Sequence, residues 1–179
     1  IRDRLESYAD ERSSHARAYV KMAIKIGQII HSVNSNNGLT DVSEHQTASG
    51  ELQSITPKLG SSSLTAPQPD SNTNAEGRPA PQFRIQPGDQ LLDDVSGYRH
   101  VIISDTRPVG LKDGVFWINP RKQPEASSLL EDLEIAAAWI RPDRYMGATT
   151  KSMPELYKCL PKFLKTNEEY GDYNETSIS

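Results

Sequence analysis

The stretch WIRPDRYMGATT, residues 139–150, decides the fold of the C-terminal part of the chain. It continues an apolar run that reads IAAAWI over residues 135–140, and such a run is typical of a strand that is covered on both faces. Pro142 biases the preceding residue toward an extended conformation, and the Pro-Asp pair suits the centre of a type I turn. The chain is therefore predicted to reverse at this pair, so that residues 145–149 return antiparallel to residues 135–140.

The residues after the hairpin have the pattern of a capped helix. Ser152 and Glu155 have the spacing of a capping box, in which two side chains satisfy backbone N–H groups at the start of a helix. Apolar residues then recur at helical spacing at Met153, Leu156, Tyr157, Leu160 and Leu164. Pro161 lies inside this pattern and removes one backbone donor, so we expect the helix to kink or end near residues 157–160.

Composition divides the 179 residues into zones. Residues 1–33 contain no proline and carry an apolar stripe at helical spacing, which predicts a long amphipathic helix. Residues 34–81 are rich in Ser, Asn, Thr, Gln, Pro and Gly, and we interpret them as a disordered linker because they offer little surface whose burial offsets the entropy of ordering. Residues 82–165, where short apolar runs return, are predicted to form a small α/β domain, and residues 166–179 a tail.

The order of elements in the third zone predicts its fold. A helical pattern, a buried strand, a tight hairpin and a final helix match the closing half of a thioredoxin-like fold with a mixed sheet. The Cys-x-x-Cys motif of that fold is absent, because Cys159 is the only cysteine. We interpret Cys159 as a small packed side chain and not as a redox group.

Charge and hydropathy exclude several classes of protein. The formal net charge is −4 and the basic residues are dispersed, so the chain lacks the positive surface of a nucleic-acid-binding protein. No apolar run is long enough to cross a bilayer, and the charged start of the chain, IRDRLESYADERSS, lacks the apolar core of a signal peptide. We therefore expect a cytoplasmic protein that binds neither nucleic acid nor membrane.

The stretch WIRPDRYMGATT resembles the closing segment of flavin-dependent aromatic-ring hydroxylases, particularly the 3-(3-hydroxyphenyl)propionate hydroxylase type. Those enzymes end in a redox-inactive thioredoxin-like domain with a similar VRPDRY-A signature. The N-terminal stretch SYADERSSHARAYVKMAIKIGQII is similar to the Y-x-x-ER-x-x-HA helix of that family, and GDQLLDDVSG and DGVFWI resemble shorter pieces of its C-terminal region. The matching residues are Tyr8, Glu11, Arg12, His15, Ala16, Arg141, Pro142, Asp143, Arg144 and Tyr145.

The resemblance implies that the chain is the C-terminal portion of an FAD- and NAD(P)H-dependent monooxygenase that hydroxylates phenolic compounds. Its partners would be the upstream FAD-binding domain and further copies in a homo-oligomer, and its role would be structural. The Gly-x-Gly-x-x-Gly turn that binds FAD does not occur here, so we expect no cofactor to bind this chain alone and assign no catalytic, cofactor-binding or metal-binding residue. The alternative is a free-standing thioredoxin-like module that binds a protein partner and does no chemistry.

Histidines and paired carboxylates provide no stronger candidate for a site. The four histidines lack metal-ligand spacing and are interpreted as solvated or capping residues; they are His15, His31, His45 and His100. Asp93 and Asp94 form an acid/base pair only if they share a face, but neighbours in a strand point to opposite sides, which favours a turn.

Arginines and tryptophans near the hairpin admit functional and structural interpretations. Arg141 and Arg144 have the donors to clamp a phosphate or a carboxylate. Their place at a turn favours the alternative, in which they and Asp143 fix the hairpin or pair with a neighbouring domain. Trp117 and Trp139 are interpreted as core aromatics and not as a cofactor-stacking pair.

Overall fold

The computed structural model describes residues 2–35, 57–60, 62 and 75–166, and the chain divides into two compact units, residues 1–60 and residues 61–179. Most of the predicted linker and all but the first residue of the predicted tail lie outside the described residues.

The described residues of the first unit form one long helix and a short segment beside it. The helix α1 spans Arg2–Ser35, as the absence of proline and the apolar stripe predict. The segment of residues 57–60 lies against it, because the amide of Gly60 donates to the backbone carbonyl of Glu11 at 2.9 Å. A Cβ at Gly60 would lie 2.5 Å from the carbonyl oxygen of Asp10, so the approach requires glycine.

The second unit is a mixed α/β domain. Its elements are β1 (Arg84–Ile85), β2 (Gln90–Leu91), α2 (Leu92–Ser96), β3 (Val101–Ser104), β4 (Phe116–Ile118), α3 (Pro124–Asp132), β5 (Ala137–Ile140), β6 (Met146–Thr150) and α4 (Met153–Cys159). Single 3-10 turns lie at Pro120–Lys122 and Lys162–Leu164. The strands β3 to β6 form one sheet in the order β4-β3-β5-β6, where β4 is parallel to β3 and both other pairs are antiparallel. The predicted α/β class and mixed sheet are confirmed.

Both faces of this sheet are covered. Successive residues of a strand point to opposite sides, so β5 contributes to two separate apolar clusters. Ala138 and Ile140 pack with Leu130 of α3, whereas Trp139 packs on the other side with Leu156 of α4. All of β5 is buried, which is the environment that its uninterrupted apolar run predicts.

The chain reverses between β5 and β6 where the Pro-Asp pair predicts a turn. The amide of Arg144 donates to the carbonyl of Arg141 at 3.0 Å, and this bond closes a turn with Pro142 and Asp143 at its centre. Arg144 itself has φ 63°, a left-handed conformation that commonly follows a type I turn in a hairpin.

A bulge in β6 places Gly147 beneath the indole of Trp139. Ile140 pairs with Met146 and Trp139 pairs with Ala148, which leaves Gly147 as the extra residue. A Cβ at Gly147 would overlap the six-membered ring of the indole. Only glycine therefore allows the large ring to approach the neighbouring strand so closely.

The capped helix is confirmed with one change in its bonding. The hydroxyl of Ser152 accepts from the amide of Glu155 at 3.4 Å, as expected for an N-cap. The carboxylate of Glu155 accepts from the amide of Lys151, at 3.2 Å, and not from that of the cap residue itself. The helix ends at Cys159, two residues before Pro161, where the proline predicts a break.

Part of the stretch that composition assigns to the linker lies along β6. The amide of Gly77 donates to the carbonyl of Met146 at 2.8 Å, and the amide of Met146 donates to the carbonyl of Arg78 at the same distance. Ala80 adds a bond to the carbonyl of Arg144. These bonds shield an edge of the four-stranded sheet, so the domain includes residues before Gln82.

Candidate functional site

The turn RPDR contains an ion pair within the hairpin. The guanidinium of Arg141 donates from Nε and Nη2 to the two carboxylate oxygens of Asp143, at 3.1 and 2.8 Å. The side chain of Arg141 is 9% exposed and that of Asp143 is 37% exposed, so the carboxylate neutralises a charge that is largely removed from water. Tyr145 follows at the start of the returning chain, and its carbonyl accepts from the amide of Arg141 at 2.9 Å.

Arg144 points in another direction and ties the hairpin to α2. Its Nη2 donates to the hydroxyl of Ser96 at 2.8 Å and to the carbonyl of Gly97, and its Nε pairs with the carboxylate of Asp93. Its Nη1 is buried without a hydrogen-bond partner among the described residues. The side chain of Arg144 thus donates to a backbone carbonyl at the end of α2 and anchors the turn to that helix.

These contacts correct the interpretation of the acidic pair and weigh against a ligand clamp. Asp93 and Asp94 lie in the first turn of α2 and not in a loop turn, because Leu92 and Ser96 are buried four residues apart on one helical side. Asp93 pairs with Arg144, which favours a structural role for this carboxylate. Both hairpin arginines direct donors to protein acceptors, which favours their structural interpretation.

His100 is a further polar residue of this region whose environment differs from the predicted one. It is half-buried, and its Nδ1 accepts from the indole Nε1–H of Trp139 at 3.1 Å, so it is neither solvated nor capping. The ring of Phe163 lies 5.8 Å from the imidazole. Burial lowers the pKa of His100, the guanidinium of Arg141 lowers it further, and the carboxylate of Asp143 opposes both effects.

The motif residues near the N-terminus lie on α1, in the first unit. Glu11 is 2% exposed, although it is charged. The guanidinium of Arg12 lies 5.8 Å from the ring centre of Tyr8, and the imidazole of His15 meets the ring of Tyr19 edge-on at 5.0 Å. Both ring contacts join residues one helical turn apart on α1.

The second unit has an open cavity of about 560 Å³. It lies beside α3 and is lined by apolar side chains such as Leu129, Leu133 and Met146. Two cations and two carboxylates surround it, namely Arg78, Lys151, Asp132 and Glu134. Because both signs of charge are equally represented, the lining selects no ligand charge.

The described part of the chain shows neither a metal centre nor a membrane span. Among these residues no three His, Cys, Asp or Glu side chains come close enough to hold a metal ion, and no helix is long and apolar enough to cross a membrane. Cys159 donates its Sγ–H to the carbonyl of Glu155 at 3.1 Å, and burial raises the pKa of its thiol. The thiolate that redox or nucleophilic chemistry needs is therefore disfavoured.

Comparison with known proteins does not identify a family. No protein-family model matches the chain, and a search of the curated proteins finds no relative.

Proposed function

We propose that the chain is the C-terminal portion of an FAD- and NAD(P)H-dependent monooxygenase that hydroxylates phenolic compounds, and that its role there is structural or in subunit contacts. The resemblance of WIRPDRYMGATT and of the α1 sequence to aromatic-ring hydroxylases carries this proposal. The sheet order is compatible with the thioredoxin-like domain in which those enzymes end, since a parallel pair is followed by an antiparallel hairpin and a helix.

The contacts of the RPDR turn support a structural role for this part of the enzyme. Arg141 binds Asp143 within the turn, and Arg144 binds α2. Guanidinium groups that are engaged in this way hold a hairpin in place and are poorly suited to turning over a substrate. The flavin, the nicotinamide and the phenol would bind to the upstream FAD-binding domain, and the enzyme would be cytoplasmic.

An exposed apolar face on α1 favours a second candidate, a non-catalytic thioredoxin-like module that binds a protein partner. Val20 and Ile24 are 59% and 56% exposed, and Tyr8, Tyr19 and Ile30 are also exposed. A helix that presents apolar side chains in this way is suited to docking. In the monooxygenase the flavin domain would cover this face, whereas in the module a separate protein would.

Purification of the polypeptide encoded by the complete natural gene tests the proposal. We expect a yellow protein with an equimolar amount of FAD that oxidises NADH or NADPH and adds a hydroxyl group to a phenol from a test panel. The 179-residue chain, assayed in parallel as a control, is expected to be colourless and inactive. A complete gene product without flavin and without an upstream Gly-x-Gly-x-x-Gly motif would overturn the monooxygenase and leave the interaction module.

A further inference from the structure

His100 stands at the end of the sheet on the face that α4 covers. Val101 pairs with Ile140 in the antiparallel ladder, so the preceding residue lies opposite Arg141. Ile102 lies opposite Trp139, and alternation along β3 directs its side chain to the same face as the imidazole. The imidazole is therefore placed against the indole by the register of two central strands.

The hydrogen bond between these rings exists in only one protonation state. An indole N–H can only donate, so Nδ1 of His100 has to offer a lone pair to Trp139, and the proton of the neutral imidazole is on Nε2. An imidazolium carries a proton on both nitrogens and cannot accept this bond. The stacked rings, whose centres are 5.7 Å apart, would then place two N–H donors against each other.

The surroundings of the imidazole give little compensation for a positive charge. From the end of β5 it meets the cation of Arg141, and from the turn it meets the carboxylate of Asp143, which Arg141 already binds through two hydrogen bonds. The 3-10 turn on its other side contributes the apolar ring of Phe163, while the charged Lys162 of that turn is exposed. Protonation is therefore resisted by both burial and charge.

Phe163 and Leu164 connect the histidine to a segment that closes the domain. Phe163 is in ring contact with His100, and Leu164 is buried in the cluster of Trp139. Two backbone hydrogen bonds join the segment to the connection between β3 and β4. The amide of Lys112 donates to the carbonyl of Leu164 at 2.9 Å, and the amide of Thr166 donates to the carbonyl of Gly110 at 2.8 Å. A change at the imidazole thus reaches residues 110–112 through this segment.

We propose that His100 is a proton-controlled latch, in which protonation breaks the hydrogen bond from Trp139 and releases residues 161–166 from the end of the sheet. The neutral form stabilises the closed state. Because the pKa of His100 is lowered in the folded chain, the stabilisation is complete above the ordinary pKa of 6.5 and is lost as the pH falls from there through the lowered value. The released state exposes the apolar surface that Leu164 and Trp139 share in the closed state.

Nuclear magnetic resonance of the 179-residue chain tests the latch, because its two tryptophans supply a reporter and an internal control. The indole N–H of Trp139 is expected to shift with the same midpoint as the imidazole of His100 as the pH falls from about 7.5 to 5. The indole N–H of Trp117 donates to the carbonyl of Ser104 at 3.0 Å and should not follow that midpoint. The amide protection factors of Lys112 and Thr166 should fall several-fold over the same range.

The substitution His100→Gln provides the matched variant. Its side-chain carbonyl can accept from the Trp139 indole but cannot titrate, so the pH-dependent shift and the loss of protection should both disappear. Persistence of the loss of protection in His100→Gln would overturn the latch. The wild-type titration is decisive even if this variant fails to fold, since a Trp139 indole that does not follow the imidazole of His100 would overturn it as well.

Discussion

The hairpin of β5 and β6 and the helix α1 both have clear apolar patterns, yet they differ in how much they bury. Every residue of both strands is buried. In α1, by contrast, Glu11 is the one buried residue among the side chains that are described, and Ile24 is 56% exposed. An apolar pattern therefore predicts the kind of element more reliably than it predicts what covers it.

This difference in burial follows from the elements that each unit packs against the apolar residues. The hairpin has α3 on one side and α4 on the other, so each apolar residue of β5 faces a cluster. Among the described residues of its own unit, the short segment of residues 57–60 contacts α1. A helix of 34 residues forms its backbone hydrogen bonds internally, even where its apolar side chains stay exposed. A short strand needs neighbouring elements both for its backbone hydrogen bonds and for the burial of its side chains.

Trp139→Ala should cause the largest loss of stability, because it removes the largest fully buried side chain and leaves His100 without its donor. We expect a loss of about 3–5 kcal/mol in the free energy of unfolding, measured by urea titration followed by circular dichroism. The control is Trp117→Ala on β4, where the ring is half-buried and the loss should be smaller. An equal or greater loss for Trp117→Ala would contradict the central position of Trp139.

The same chemical change, glycine to alanine, should have opposite effects in the two regions. Gly147→Ala drives a methyl group into the indole of Trp139 and should destabilise the domain by about 1–3 kcal/mol. At Gly27 of α1 nothing lies within 4 Å of an added Cβ, so Gly27→Ala should stabilise the helix by up to about 1 kcal/mol.

A double-mutant cycle identifies the cause of the Gly147 effect. Combined with Trp139→Leu, the Gly147→Ala substitution should lose most of its cost, because the smaller side chain vacates the overlapping ring position. An unchanged cost in that background would mean that the backbone of β6, and not the indole, excludes the methyl group.

The sequence predicts what depends on neighbouring residues and misses what depends on register. The Pro-Asp turn, the Ser152 cap and the break before Pro161 are local, and each is found where the spacing predicts it. The bond from Trp139 to His100 joins residues 39 positions apart. Alternation from Ile102 predicts the face of His100, but the residue across from it is known only once β3 and β5 are paired.

The contacts of Arg144 and of residues 77–80, which composition assigns to the linker, also depend on how distant parts of the chain are placed. Arg144 reaches α2 because a left-handed residue at the end of the turn redirects its side chain. The residues from Gly77 to Ala80 bind Arg144 and Met146 of the hairpin through backbone groups, which every sequence has. A Ser- and Pro-rich composition therefore cannot distinguish a strand-covering segment from a linker.

The smallest effect is expected for Ile24→Ser on the exposed face of α1. Isoleucine and serine have similar helix propensities, so the substitution mainly removes apolar surface that is already in contact with water. The free energy of unfolding of the 179-residue chain should change by less than about 0.5 kcal/mol, measured by thermal melting at several protein concentrations. In the complete gene product of the proposed monooxygenase, the flavin domain would cover this face and the same substitution should cost more. A loss of about 2 kcal/mol in the isolated chain that grows with protein concentration would instead show that a second copy covers the helix, because only association makes stability depend on concentration.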